Sequence, residues 1–170
     1  MNTKNGFVVF DKIDKSYDGE VLVVKNLNLE IPKAPDPVGA YIAYKKTANL
    51  LFISGQISID ANGNITKGKL GKELTVEQGR AAAKLSAINI IAQAKKACND
   101  RLENIAHCIK LTGYVNSTNE FTDQPKIINA ASELIFAVFG ENGKHTRAAI
   151  SANSLPLDAA VEIDAIFELK

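Results

Sequence analysis

Near its C-terminal end the chain alternates with a period of two. From Val161 to Leu169, Val161, Ile163, Ala165, Phe167 and Leu169 share one face, and Glu162, Asp164, Ile166 and Glu168 share the other. That alternation predicts a half-buried strand. A Pro156-Leu157-Asp158 turn precedes it, and before the turn a second apolar run, entered by Arg147, predicts the other half of a hairpin. Upstream, residues 41–44 predict a short strand that turns at Thr47-Ala48-Asn49 into the continuous apolar run 50–55. Gly55, at the end of that run, would let another group approach the backbone closely. Thr75 with Gln78 three residues later predicts a capping box opening a helix over 78–96, with Leu85, Ile88, Ile91 and Ala92 as its apolar face. Asn99-Asp100 should end it. Residues 105–115 predict a strand. Pro125 opens a second helix over 126–139, whose apolar face is Ile127, Ile128, Ala131, Leu134, Ile135 and Val138 and whose C-cap is Gly140.

The order from residue 41 onward is two strands, one short optional strand, helix, strand, helix and two strands. This predicts an α+β fold with one mixed sheet and both helices packed on one face. The chain has too little left to cover the other face, so a symmetric oligomer is expected to cover it. Residues 1–31 differ in character. Two apolar runs flank Lys15-Ser16-Tyr17-Asp18-Gly19-Glu20, which predicts a β-hairpin with Asp-Gly at its tip. The segment resembles the opening strands of an ABC-transporter ATPase, but the phosphate loop GxxxxGK[ST] does not follow. Gly140 to Thr146 cannot replace it, because its glycines are too close and His145 stands where Ser or Thr would hold magnesium. Pro32, Pro35 and Pro37 mark the boundary. The expected organisation is a dispensable N-terminal extension, 1–31, and a main domain, 32–170.

Composition narrows the function classes. With 170 residues, one domain and a sizeable core are expected. The net charge is +1, tryptophan is absent and aromatic residues make up 6%, which argues against a nucleic-acid partner or a base-stacking platform. Cys98 and Cys108 form no CxxC, and His107 beside Cys108 lacks companion ligands, so two buried free thiols and no metal are expected. No signal peptide and no membrane span are visible, which makes a reducing, cytoplasmic location the default.

The candidate chemistry centres on Arg147 and Glu162. A guanidinium beside a carboxylate could hold a small anionic substrate and move a proton on it, or the two could be an ordinary ion pair across a hairpin. His145, following Gly143 and Lys144, is expected in a solvated loop, and Asp164 at an interface or in solvent.

Several separated stretches settle on one resemblance. Pro35-Asp36-Pro37-Val38-Gly39-Ala40-Tyr41, Leu51-Phe52-Ile53-Ser54-Gly55-Gln56, Asn129-Ala130, Thr146-Arg147 and Leu155-Pro156-Leu157-Asp158-Ala159-Ala160-Val161-Glu162-Ile163-Asp164-Ala165 resemble, in order, the RidA (YjgF) family of reactive-intermediate deaminases, also called L-PSP endoribonuclease-like. The phrases around Leu111 to Asn116 and Phe121 to Pro125 mark a divergent branch. The resemblance covers residues 32–170. It implies a chorismate-mutase-like fold and a homotrimer with clefts between subunits. The implied reaction is hydrolysis of 2-imino and enamine acids to 2-keto acids and ammonia, without a cofactor. It further implies that Arg147 binds the substrate carboxylate and that Glu162 positions the attacking water. Tyr41, Ser54 and Asn129 would line the cleft, and the backbone of Gly55 and of Ala149 would border the substrate. RidA itself has cysteine where this chain has Ala149, which implies a reshaped pocket. A non-catalytic trimer that binds a small carboxylate shares Arg147 without needing Glu162. RNA cleavage is disfavoured by the balanced charge and the lack of a His pair or basic patch.

Overall fold

The computed structural model describes residues 8–17 and 21–170. The hairpin tip expected at Asp18-Gly19 lies outside them. Strands β1 (Val8–Tyr17) and β2 (Val21–Ile31) pair antiparallel as a separate two-stranded sheet, in a register from Tyr17↔Val21 to Val8↔Ile31. The end of β2 reaches the main core, where Leu29 and Ile31 are buried.

The remaining strands, β3 (Tyr44–Thr47), β4 (Leu50–Ile57), β5 (Ile105–Asn116), β6 (Thr146–Ala152) and β7 (Val161–Leu169), form one sheet in the order β3-β4-β7-β5-β6. The pairs β3/β4, β4/β7 and β5/β7 are antiparallel, and β5/β6 is parallel. Helices α1 (Val76–Ala97) and α2 (Gln124–Phe139) pack on one face. The mixed α+β architecture with both helices on one side is therefore present.

The alternation of β7 is realised: Val161, Ile163, Ala165 and Phe167 are buried under the helices, while Glu162, Asp164 and Ile166 are half-buried on the other face. Leu51 and Ile53 of β4 and Leu111 and Val115 of β5 complete the helix-side layer. Gly113 belongs to this layer because α2 lies so close. A Cβ there would meet the Ile128 side chain at 2.5 Å. The opposite face remains open in the single chain and carries Phe52, Ile109 and Ile150, each more than a third exposed.

The helix signals hold. Thr75 Oγ1 accepts from the Gln78 amide, and Gln78 Oε1 accepts from the Thr75 amide, as the capping box requires. Asn99 and Asp100, both at positive φ, follow the end of α1, and Gly140 (φ 64) caps α2. Cys98 and Cys108 are buried free thiols, and burial pushes the Cys108 thiol up to about 12.

Four expectations need correction. The first strand of the main domain starts at Tyr44, not Tyr41. Its partner β4 bulges beyond Ile53, and Gly39 (φ 142) bends the preceding segment, so only the bond from the Ser54 amide to the Ala43 carbonyl continues the pairing. The optional strand before α1 amounts to isolated bridges such as Ile59↔Ile65 and Lys67↔Ala159. Of the expected face of α1, Ile91 and Ala92 are buried but Leu85 and Ile88 are only half-buried, because the buried face runs through Ala83, Ala87, Ile90, Ile91 and Ala94. Small alanines let α1 sit close to both the sheet and α2, with Ile90 and Ile91 as its large buried side chains. Finally, β6 and β7 are not a hairpin: β5 lies between them. The Pro156–Asp158 turn, with Leu157 and Asp158 both at positive φ, carries the chain past β5 instead of folding it back.

Candidate functional site: two half-sites on opposite faces

Arg147 lies on the edge strand β6, opposite Leu111 of β5, and so points to the helix side. Glu162 on β7 lies opposite Tyr114 of β5. Leu111 and Tyr114 are an odd number of residues apart on one strand, so Arg147 and Glu162 leave the sheet on opposite faces. The ion pair that a hairpin would have allowed does not exist. Among the described residues, neither side chain has an oppositely charged partner within ion-pair distance.

Around Arg147 the geometry is fixed by α2. Arg147 Nη1 donates to Asn129 Oδ1 at 2.7 Å and to Ser132 Oγ at 3.1 Å. Asn129 and Ser132 sit three residues apart on the helix, which puts both on one face. His145 adds a further layer. Its Nδ1 is 2.6 Å from the Gly143 carbonyl and its Nε2 is 2.9 Å from Ser132 Oγ. A carbonyl only accepts, so Nδ1 carries the proton and Nε2 accepts the Ser132 hydroxyl. Burial pushes the imidazole below its ordinary range, and the Arg147 charge adds to this while the Gly143 carbonyl opposes it. His145 is thus half-buried and tethered, not part of a solvated loop. The 3-10 turn Gly140–Gly143 anchors it to the end of α2. Ser132, Phe136, Gly143, Lys144, His145 and Arg147 line a cavity of about 470 Å³. Ala149, two residues along β6, packs half-buried against the core opposite Gly113.

Around Glu162 the geometry is set by a gap. The register of β4 against β7 slips between Ile53 and Gln56, which leaves Ser54 and Gly55 in a bulge. A Cβ on Gly55 would lie 1.9 Å from Glu162 Oε1, so the carboxylate occupies the space that only glycine leaves. Burial, with a smaller contribution from Asp164, raises the Glu162 carboxyl above its ordinary value. Asp164 itself accepts from the Tyr114 hydroxyl at 3.2 Å. Ser54 Oγ donates to the Ile42 carbonyl at 2.7 Å, which fixes the segment carrying Tyr41. Tyr41, Gly55, Gln56, Gln93, Leu157 and Glu162 are among the residues lining a cavity of about 530 Å³. Gln56 Nε2 donates to the carbonyls of Ser54 and Gly55 and so braces the bulge.

The structure therefore sorts the seven candidate residues into two groups. Tyr41, Ser54, Gly55 and Glu162 lie together, and Arg147 and Asn129, with Ala149 on the same strand face, lie apart from them. Sequence reasoning missed Ser132, Gln56 and Leu157. Ser132 could have been found as the residue one helical turn after Asn129. Leu157 gave no such signal, because its place at the cavity wall depends on the left-handed turn. Among the described residues no cluster of three metal-ligating side chains occurs, and no helix is long and apolar enough to cross a membrane.

Residues 20–169 match the family model described as "YjgF/chorismate mutase-like, putative endoribonuclease". The chain is 39% identical over 147 residues to protein TCP17 of Trypanosoma cruzi, a match that spans 86% of this chain and 91% of that protein. It is 33% identical over 135 residues to a RutC family protein of Pyrococcus abyssi, covering 79% and 90%. Among solved structures, protein Atu1372 of Agrobacterium tumefaciens superposes with a TM-score of 0.76 at 43% identity, over 79% of this chain and 86% of that one.

Proposed function

The chain belongs to the YjgF/RidA family, and on that premise we propose that it hydrolyses 2-imino acids and their enamine tautomers to 2-keto acids and ammonia. The observation that carries this reading is Arg147. It is an exposed guanidinium, already oriented by Asn129 and Ser132, with no acidic partner among the described residues. Such a group suits bidentate capture of a small carboxylate.

The reaction adds water across the protonated imine carbon and expels nitrogen. The iminium carboxylate and one water give the 2-keto carboxylate and ammonium, so atoms and charge balance. Glu162 is the base in this reading. A half-buried carboxylate with a raised pKa takes a proton from the attacking water more readily than an exposed one and returns it to the leaving nitrogen. The two half-sites must then meet across an interface. We assign the open sheet face, with Phe52, Ile109 and Ile150, to the contact in a homotrimer, and the clefts to the junctions where Arg147 of one subunit faces Glu162 of the next. A location in the cytoplasm fits the two buried, reduced thiols.

The test generates imines in place with an amino-acid oxidase and follows their loss with wild type and Arg147→Ala. Acceleration by wild type only is the expected result. No acceleration with several imines would remove the deaminase reading. Carboxylate binding by wild type and by Glu162→Gln alike, with no turnover by either protein, would favour a non-catalytic binding protein. That second reading draws on the separation of Arg147 from Glu162, since the anchor stands complete without the base. RNA decay by the purified protein that disappears in Arg147→Ala would reverse the argument against RNA cleavage.

A further inference from the structure

We propose that Ser132 and His145 are positioning residues for the carboxylate anchor: they hold Arg147 with its Nε–Nη2 edge turned toward the substrate. The inference rests on the carboxylate-binding role of Arg147 proposed above.

Nη1 has two hydrogens, and both are committed, one to Asn129 Oδ1 and one to Ser132 Oγ. Nε and Nη2 make no hydrogen bond among the described residues. They form the side-on edge of the guanidinium, which matches the two oxygens of a carboxylate. Ser132 can accept from Nη1 in a fixed direction only if its own proton is directed elsewhere. His145 Nε2, at 2.9 Å, takes that proton. His145 can do so only in the tautomer with hydrogen on Nδ1, and the Gly143 carbonyl at 2.6 Å selects that tautomer. The chain of donors thus runs from Arg147 to Ser132, from Ser132 to His145 and from His145 to Gly143. Each link fixes the polarity of the one before it. The last link is mounted on the turn that ends α2, and Ser132 is on α2 itself, so the anchor is referenced to a rigid element and not to the edge strand that carries it. The Arg147 charge acts on the imidazole, and Lys144, beside it in sequence, is paired with Glu141 at 2.7 Å.

The experiment measures KM and kcat for imine hydrolysis, and the Kd of 2-ketobutyrate by NMR titration, in full-length variants whose melting temperatures match wild type. Ser132→Ala, which removes a hydrogen bond to a charged group, and His145→Leu, which leaves the Ser132 proton free to turn toward Arg147, are each expected to raise KM and Kd about tenfold, with kcat changed less than about twofold. Ser132→Thr, which returns the hydroxyl, and His145→Gln, which returns an acceptor, should recover most of that loss. A Ser132→Ala protein with the wild-type Kd would overturn the proposal, as would a loss that Ser132→Thr fails to recover. The two readings separate cleanly. Wild type that binds 2-ketobutyrate but turns over no imine sinks the deaminase reading, and the variant Kd values still decide the positioning role. Wild type that does neither removes the anchor and the positioning role together.

Discussion

The Arg147 and Glu162 half-sites are built on contrary plans. Arg147 stands on an exposed edge strand, yet its guanidinium is held by Asn129 and Ser132, with His145 and Gly143 behind them. Glu162 stands on a central strand and is half-buried, yet no hydrogen bond or ion pair holds its carboxylate among the described residues; it fills the notch above Gly55. The difference matches the roles proposed above for the two charges. A cation that anchors a substrate gains from a fixed orientation, and surrounding acceptors that carry no full charge can supply it without neutralising the cation. A carboxylate that moves a proton gains from a raised pKa, and the way to raise it is to take away water and partners. Arg147 is prepared by its neighbours, Glu162 by their scarcity.

The largest expected effect comes from breaking both halves in separate chains. Arg147→Ala and Glu162→Gln should each lower kcat/KM by about 10²-fold or more. If each cleft joins two subunits, an equimolar reassembled mixture of the two inactive proteins regains about a quarter of wild-type activity, because each mixed trimer contains one intact junction. A mixture as inactive as its components would place both groups in one chain's site and remove the interfacial assignment.

A smaller effect is expected at the notch. Gly55→Ala puts a methyl group where Glu162 Oε1 now sits. The carboxylate ends a flexible side chain and can swing aside, so stability should change little. The displaced base should cost about tenfold in kcat, with KM nearly unchanged, since a misplacement of about 1 Å is enough to slow a positioned reaction. A rise in KM without loss of kcat would mean that the notch serves binding and not proton transfer.

The smallest effect is one of stability against pH. The folded-state pKa of Glu162 is raised above its ordinary value of 4.5. Between those two values the folded protein holds a proton that the unfolded chain has released, so the stability contributed by Glu162 falls as pH rises through the window. Glu162→Gln removes that loss. Thermal melts should find the variant slightly more stable than wild type at neutral pH, with the difference closing below about pH 4. The reverse order at neutral pH would show that a cation already faces Glu162 before substrate arrives, and the contrast between the two half-sites would need redrawing.

Much of the framework was legible from residue order alone. Period-two alternation over Val161–Leu169, the Thr75/Gln78 box and the Gly140 cap are local signals, and each appears where expected. The candidate residues could be named from their motifs, and Gly55 announced a close approach. What could not be read was which of them meet. Two apolar strands joined by a Pro-Leu-Asp turn look like a hairpin, but β5 lies between them, and its registers with each put Arg147 and Glu162 on opposite faces. His145 reads as a loop residue until α2 brings Ser132 beneath it. Leu29 and Ile31 read as part of an appendage until they are found packed in the main core. Periodicity, capping and turn chemistry depend on neighbours along the chain, so the sequence determines them by itself. Strand order, the face on which a charge emerges and the partner that holds it depend on how distant elements share one core, and that was decided only by the tertiary structure.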